Sequence, residues 1–371
     1  MPDSVLPVFS QSYEEARDKF LLLSKEHGAY SRSYKHPSAC TPNGAPLMLE
    51  TAWIGPRDAK NVMVMVSGTH GPEAYTGAAI QLNWLNGHKG FPSPSMAMLL
   101  IHGVNPYGWA HSSRTTEHNV DLNRNFVDSY PSDTSSQLTE QVQALLCSSS
   151  PKGPRFKTIF IGLIRLLLNV GITKVVNEIS NGQYTHAKGI GYGGDSAEWA
   201  NLTMRAVLDE HLKQADNVTI IDWHTGIGRY GEPYFLCFDE PFSEEYQRAR
   251  SCWGAAIDKS NAGYSSGQRP DYQGLLINAV RDIAQGFGAK TTTAVIEFGT
   301  YANLKMLKGL LIDRWLRYHA DEENLQIAAK LQTQMLRLFY PEDERWRASV
   351  LQHSETIIAQ SLAVLNTDDA S

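Results

Sequence analysis

Six short apolar runs set the limits on how this chain can fold. They are MLETAWI (48–54), VMVMVSG (62–68), MAMLLIHG (96–103), VTIIDW (218–223), PYFLCF (233–238) and TAVIEFG (293–299), several of them closing on glycine. Segments with helical spacing lie between them at 74–86 and 196–214, and a further helix is expected over 11–30, where Ala16, Phe20 and Leu23 share a face. A strand covered on both faces reads as a continuous greasy run rather than as an alternation, and parallel strands need helices as covers. The pattern predicts an α/β sandwich around a largely parallel or mixed sheet.

No repeat and no long Pro/Gly linker divides the 371 residues, so one domain is expected. Its core spans about 45–300, with a helical insertion at 127–215 and a helical C-terminal extension at 303–371. The insertion holds the Ser-rich stretch 129–150, a helix near 156–178 and a glycine turn at 189–194. Charge is mildly acidic, 33 Lys and Arg against 39 Asp and Glu. That balance lacks the cationic footprint of a nucleic-acid or membrane-surface binder, so neither partner is expected. Four scattered cysteines (Cys40, Cys147, Cys237, Cys252) form no Cys-x-x-Cys pair. With no basic, apolar leader at the start, the expectation is a reduced, cytoplasmic protein.

Four segments carry candidate chemistry. VSGTHGPEAYTG runs from a buried strand into His70 and Glu73, which share a turn entering a helix. Ligands of α/β sheets gather beyond strand carboxyl ends, and a histidine and a glutamate so spaced can face one cation. The plainer reading is a solvated histidine beside a glutamate that favours the helix dipole. TIIDWHTGIG puts His224 at the end of another strand, as the third ligand of an open zinc site requires. TAVIEFGTY places Glu297 among Val295, Ile296 and Phe298, a costly position for a carboxylate unless it is paired, functional or turned to solvent. NPYGWAHSSRTTEHNVDLNRNF (105–126) supplies Arg114, Asp121, Asn123 and Arg124, suited to gripping a carboxylate or to making local turns.

Taken in chain order, His70-x-x-Glu73, then the 105–126 segment, then His224, then Glu297, the segments resemble the zinc carboxypeptidase (carboxypeptidase A-like) superfamily, closest to a poorly characterised microbial branch, over roughly residues 45–300. The resemblance implies a three-layer α/β/α sandwich with a mixed, largely parallel central sheet. It implies one zinc per chain held by His70, Glu73 and His224. Glu297 would be the general base, Arg114 would polarise the scissile carbonyl, Asn123 and Arg124 would hold a terminal carboxylate, and Asp121 would orient His70. A substrate-capping tyrosine is left open between Tyr264 and Tyr272.

The implied activity is a zinc hydrolase cutting an amide next to a free carboxylate, a metallocarboxypeptidase acting on small peptides. An N-acyl amino acid deacylase, as in aspartoacylase-like relatives, would use the same centre. A non-catalytic metal-binding protein would have no need of Glu297. Two motifs are read as decoys: GYSSG (263–267) lacks the strand–helix setting that Ser265 would need as a nucleophile, and GIGYGG (189–194) follows no buried strand. His102, His111, His118 and His186 are expected in turns or on the surface. Asp222 and Arg229 are secondary candidates, for supporting the site and for meeting substrate.

Overall fold

The computed structural model describes residues 7–88, 95–130, 136–262 and 272–367. The strands of its main sheet are β1 (Tyr30–Cys40), β2 (Pro46–Ile54), β3 (Asn61–Ser67), β4 (Met96–His102), β5 (Asn217–Gly226), β6 (Pro233–Leu236) and β7 (Lys290–Gly299). They form one sheet in the order β1-β2-β4-β3-β5-β7-β6. The central strands β4, β3, β5 and β7 run parallel. Antiparallel pairings join β1 to β2, β2 to β4 and β6 to β7.

Period-two alternation sorts the strand residues into two cores. Met63, Met65, Ile221, Trp223, Ile296 and Phe298 pack on one face against α1 (Tyr13–Glu26) and α2 (Gly71–Gly87), with further helices beside them. Val62, Val64, Val66, Val218, Ile220 and Val295 turn to the other face. The expected three layers are present, with both faces of every central strand covered.

The segment 127–215 divides between two jobs. Helices α3 (Gln137–Leu146), α4 (Phe156–Val170) and α5 (Ile172–Asn181) build a satellite cluster through Val142, Leu146, Ile159, Leu163 and Val175. Helix α6 (Trp199–Leu212) instead covers the sheet through Met204, Val207 and Leu208, beside Leu276 and Val280 of α8 (Leu276–Gly286), which follows α7 (Glu244–Trp253). After β7 come α9 (Asn303–His319), α10 (Leu325–Phe339) and α11 (Glu344–Thr367). Trp346, Val350 and Ile357 of α11 complete the first core, so part of the C-terminal extension belongs to the sandwich itself. All four cysteines are free.

Strand β1 has no counterpart among the apolar runs read from the sequence. Ten of its eleven residues are exposed or half-buried, His36 being the buried one, so it lacks the greasy signature of the strands beside it.

A candidate metal centre at the strand ends

The parallel strands place their carboxyl ends on one rim, and strand register brings the candidates together there. Ser67 lies beside Trp223, and His224 lies directly opposite Glu297. Beyond Ser67, His70 caps α2 and Pro72 occupies its first turn, where a missing N–H costs nothing. Gly71 admits no side chain: a Cβ would fall 2.0 Å from the Gly108 carbonyl. That contact seats the 105–126 segment directly over His70 and Glu73.

His70 Nδ1 lies 3.0 Å from Glu73 Oε1, and His224 Nδ1 lies 2.8 Å from Glu73 Oε2. The outer nitrogens are held as well: His70 Nε2 is 3.1 Å from Asp121 Oδ1, and His224 Nε2 is 2.8 Å from Asp222 Oδ2. Thr69 Oγ1 donates to Asp222 at 3.0 Å, and the Thr225 amide donates to Glu73 at 3.2 Å. Arg114 reaches across with Nη1 2.9 Å from Glu73 and Nη2 3.3 Å from Asp121. All these side chains except the part-exposed Arg114 are buried.

The donor set fits a dication. With Asp121 and Asp222 each taking a ring proton, the two Nδ1 atoms face a carboxylate. Such contacts are attractive only when each ring carries a second proton or both share a cation with Glu73. Ligand atoms of the trio all lie within 4.8 Å of one another. The contacts on Glu73 approach the ~3.3 Å edge of a tetrahedron with zinc–ligand bonds of about 2.0–2.1 Å. Carboxylates behind imidazoles are the usual support of zinc-ligating histidines.

Electrostatics follow from this crowding. Burial alone would raise the Glu73 carboxyl, but His70 and His224 outweigh it and hold it far below the ordinary range. Burial would likewise raise Asp121, yet Arg114 and His70 hold it well down. His224 is driven above its ordinary value because Asp222 and Glu73 overcome its desolvation. Glu297 behaves oppositely. Burial, then the neighbouring Glu73 charge, push it up to about 7. It is half-buried, with one oxygen accepting from the Ile227 amide at 3.3 Å and its charge felt by Arg114. A carboxylate poised near neutrality beside a cation site is able to take and return a proton.

Of the eight residues singled out in the sequence, six thus meet on this rim: His70, Glu73, Arg114, Asp121, His224 and Glu297. Asn123 and Arg124 lie just beside it, the Asn123 backbone amide donating to Asp121 Oδ1 at 3.0 Å and the Arg124 charge helping to hold Asp121 down. Asn123 Oδ1 accepts from the Leu276 amide at 3.1 Å, anchoring the segment to α8. Arg124 bonds the carbonyls of Asn123 and Ser180 and lies 5.1 Å from the Tyr272 ring centroid. Its buried Nε has no hydrogen-bond partner, leaving a donor for an anion. Tyr264 and Ser265 fall outside the described residues. The 189–194 turn follows α5 rather than a strand of the main sheet, and it braces the site, the Tyr192 carbonyl accepting from the Asp121 amide at 2.7 Å.

Two supports came from far along the chain. Asp313 on α9 accepts from the Arg114 amide at 3.1 Å. Arg317, one turn on, reaches Ser113 Oγ at 2.9 Å and the Thr116 carbonyl at 2.7 Å. Nothing local in the sequence marks either. Asp222 was within reach of sequence reasoning, since positions two apart on a strand share a face with His224. His102, expected in a turn or on the surface, is instead buried at the end of β4 against Phe20. An aromatic or amide neighbour can bury a neutral imidazole, so strand-end position alone did not decide its exposure.

Residues 9–353 match the family described as "Protein of unknown function (DUF2817)". The chain belongs to that family. No curated protein matches it in sequence. Among solved structures it is similar to bovine thrombin-activatable fibrinolysis inhibitor in complex with tick carboxypeptidase inhibitor, at 12% identity, covering 93% of this chain and 97% of that one with a TM-score of 0.45. It is also similar to carboxypeptidase A from Helicoverpa armigera, at 13% identity, 87% and 73% coverage and a TM-score of 0.42. A third is the murein-tripeptide amidase MpaA from Escherichia coli O157, at 15% identity, 86% and 97% coverage and a TM-score of 0.36.

Proposed function

We propose that this DUF2817 member is a zinc-dependent hydrolase that cuts an amide bond next to a free carboxylate, acting as a metallocarboxypeptidase on small peptides. The observation that carries the reading is the convergence of His70 Nδ1 and His224 Nδ1 on Glu73, each ring backed by an aspartate, with Glu297 alongside. His70, Glu73 and His224 would hold the zinc, one ion per chain. When bound, zinc acidifies water and polarises a carbonyl.

The chain's own residues do the rest. Glu297 takes a proton from the attacking water and returns it to the leaving nitrogen, a task suited to a carboxylate set opposite His224 on the neighbouring strand. Arg114, with its guanidinium held over Glu73 and Asp121, turns toward the oxyanion that develops on the carbonyl oxygen. Asp121 and Asp222 keep both imidazoles in the tautomer that presents Nδ1. Arg124, with an unpartnered Nε, and Asn123 grip the substrate carboxylate and set the amide in position.

A substrate panel tests this. Zinc-loaded protein is expected to cleave peptides with a free C-terminus and to leave C-terminally amidated ones intact. Cleavage of amidated peptides would contradict the carboxylate grip. Turnover of N-acyl amino acids with no peptidase activity would transfer the site to deacylation.

A further inference from the structure

The acidic balance of the whole chain hides a segregated patch. Between residues 141 and 177 there are five cations, Lys152, Arg155, Lys157, Arg165 and Lys174, and no Asp or Glu. With the whole chain at −6, the remainder carries −11. All five are exposed, on or just before α4 and α5.

The same two helices are apolar on more than one side. Their inner face, Ile159, Leu163 and Val175, packs against Val142, Leu146 and Leu311. Outward, Ile161 is 42% exposed, Ile164 56%, Leu168 81%, Ile172 68% and Val176 46%. These five fall at spacings of three and four residues along both helices. Large apolar side chains bared in such a row mark a surface that meets something else. Lys157 and Arg165 lie on the same stretch of α4, so the greasy row is interleaved with cations.

A second cationic group adjoins this hairpin. Lys308 on α9 lies 5.0 Å from the Phe156 ring at the start of α4. It lines a cleft of about 700 Å³ between α9 and α10, together with Lys305, Lys330 and Arg337.

We propose that the α4–α5 hairpin docks on the surface of a bilayer containing anionic phospholipid. Apolar side chains enter the boundary between headgroups and acyl chains while the flanking lysines and arginines meet the phosphates, which is how interfacial helices bind. Docking is peripheral, since no described helix is long and apolar enough to cross a membrane. A second copy of the chain fits less well: a two-fold contact through this face would set its cations against their own kind. The inference is independent of the hydrolase reading.

Vesicle co-sedimentation of the full chain tests it. The protein is expected to bind phosphatidylcholine vesicles doped with phosphatidylglycerol, to ignore pure phosphatidylcholine, and to be released as salt rises. At about fivefold per surface charge, the triple variant Lys157→Glu, Arg165→Glu, Lys174→Glu should lose at least tenfold in binding. Leu168→Asp should weaken it by a similar factor with an unchanged circular dichroism spectrum and melting profile. Absence of binding to the anionic vesicles overturns the proposal. So does binding that survives both variants, or a dimer that Leu168→Asp dissolves while vesicles are ignored.

Discussion

His102 and His224 are both buried at the carboxyl ends of parallel strands, and their surroundings push them in opposite directions. His102 donates from Nδ1 to Gln81 at 2.8 Å, stacks on Phe20 with centroids 4.2 Å apart, and leaves Nε2 unpartnered. Burial, helped by the Arg17 charge, pulls it down to about 3, so it stays neutral. His224 sits between Asp222 and Glu73 and is driven upward. Equal burial therefore says little. An imidazole among amides and rings is a core residue, whereas one between carboxylates is placed to share a cation with them.

The comparison yields four tests, in order of expected effect. Glu297→Gln keeps the shape of the rim but loses the proton acceptor. Its zinc content should match the parent while hydrolysis falls by about 10³-fold or more, and normal turnover would remove Glu297 from its role. Arg114→Gln, also at unchanged zinc content, should lower kcat by about 10² to 10³, as loss of one oxyanion donor does. If only KM moves, Arg114 serves binding instead.

Asp222→Asn tests the carboxylate cage directly. Removing a partner of this kind lowers metal affinity by about 10 to 100-fold, so a competitive zinc titration should show that loss. An unchanged affinity would mean that His224 is oriented by packing alone.

The smallest effect belongs to His102. Its folded value lies below its ordinary 6.5, so the neutral form is favoured by the fold. The corresponding stability is present above pH 6.5 and drains away as pH falls toward 3. His102→Gln should retain zinc and activity at neutral pH and show a flatter acid limb in urea midpoints over that window. An acid limb as steep as the parent's would deny His102 this part in acid unfolding.

How much of this could be read from the sequence depended on how local the signal was. The central strands announced themselves because both faces are covered, leaving no polar alternation in runs such as Val62–Val66. Strand β1 did not, because it pairs along an edge with ten of eleven residues at least partly in solvent. His70 and Glu73 were legible as a turn between strand and helix, and Glu297 as a carboxylate in an apolar strand. The meeting of Glu73 with His224, 151 residues apart, follows from β3 and β5 pairing in register, which no local pattern encodes. The same holds for Asp313 and Arg317, which reach residues some two hundred positions earlier. Net charge is an average: the −6 of the whole chain includes a stretch of 37 residues with five cations and no acid.

X-ray absorption at the zinc edge, on protein loaded to saturation, puts the cage to its most direct trial. The account predicts one zinc per chain with two nitrogen ligands and a carboxylate, and loss of one nitrogen in His224→Ala. A zinc shell that keeps both nitrogens in that variant, or a protein that takes up no zinc at all, would contradict it.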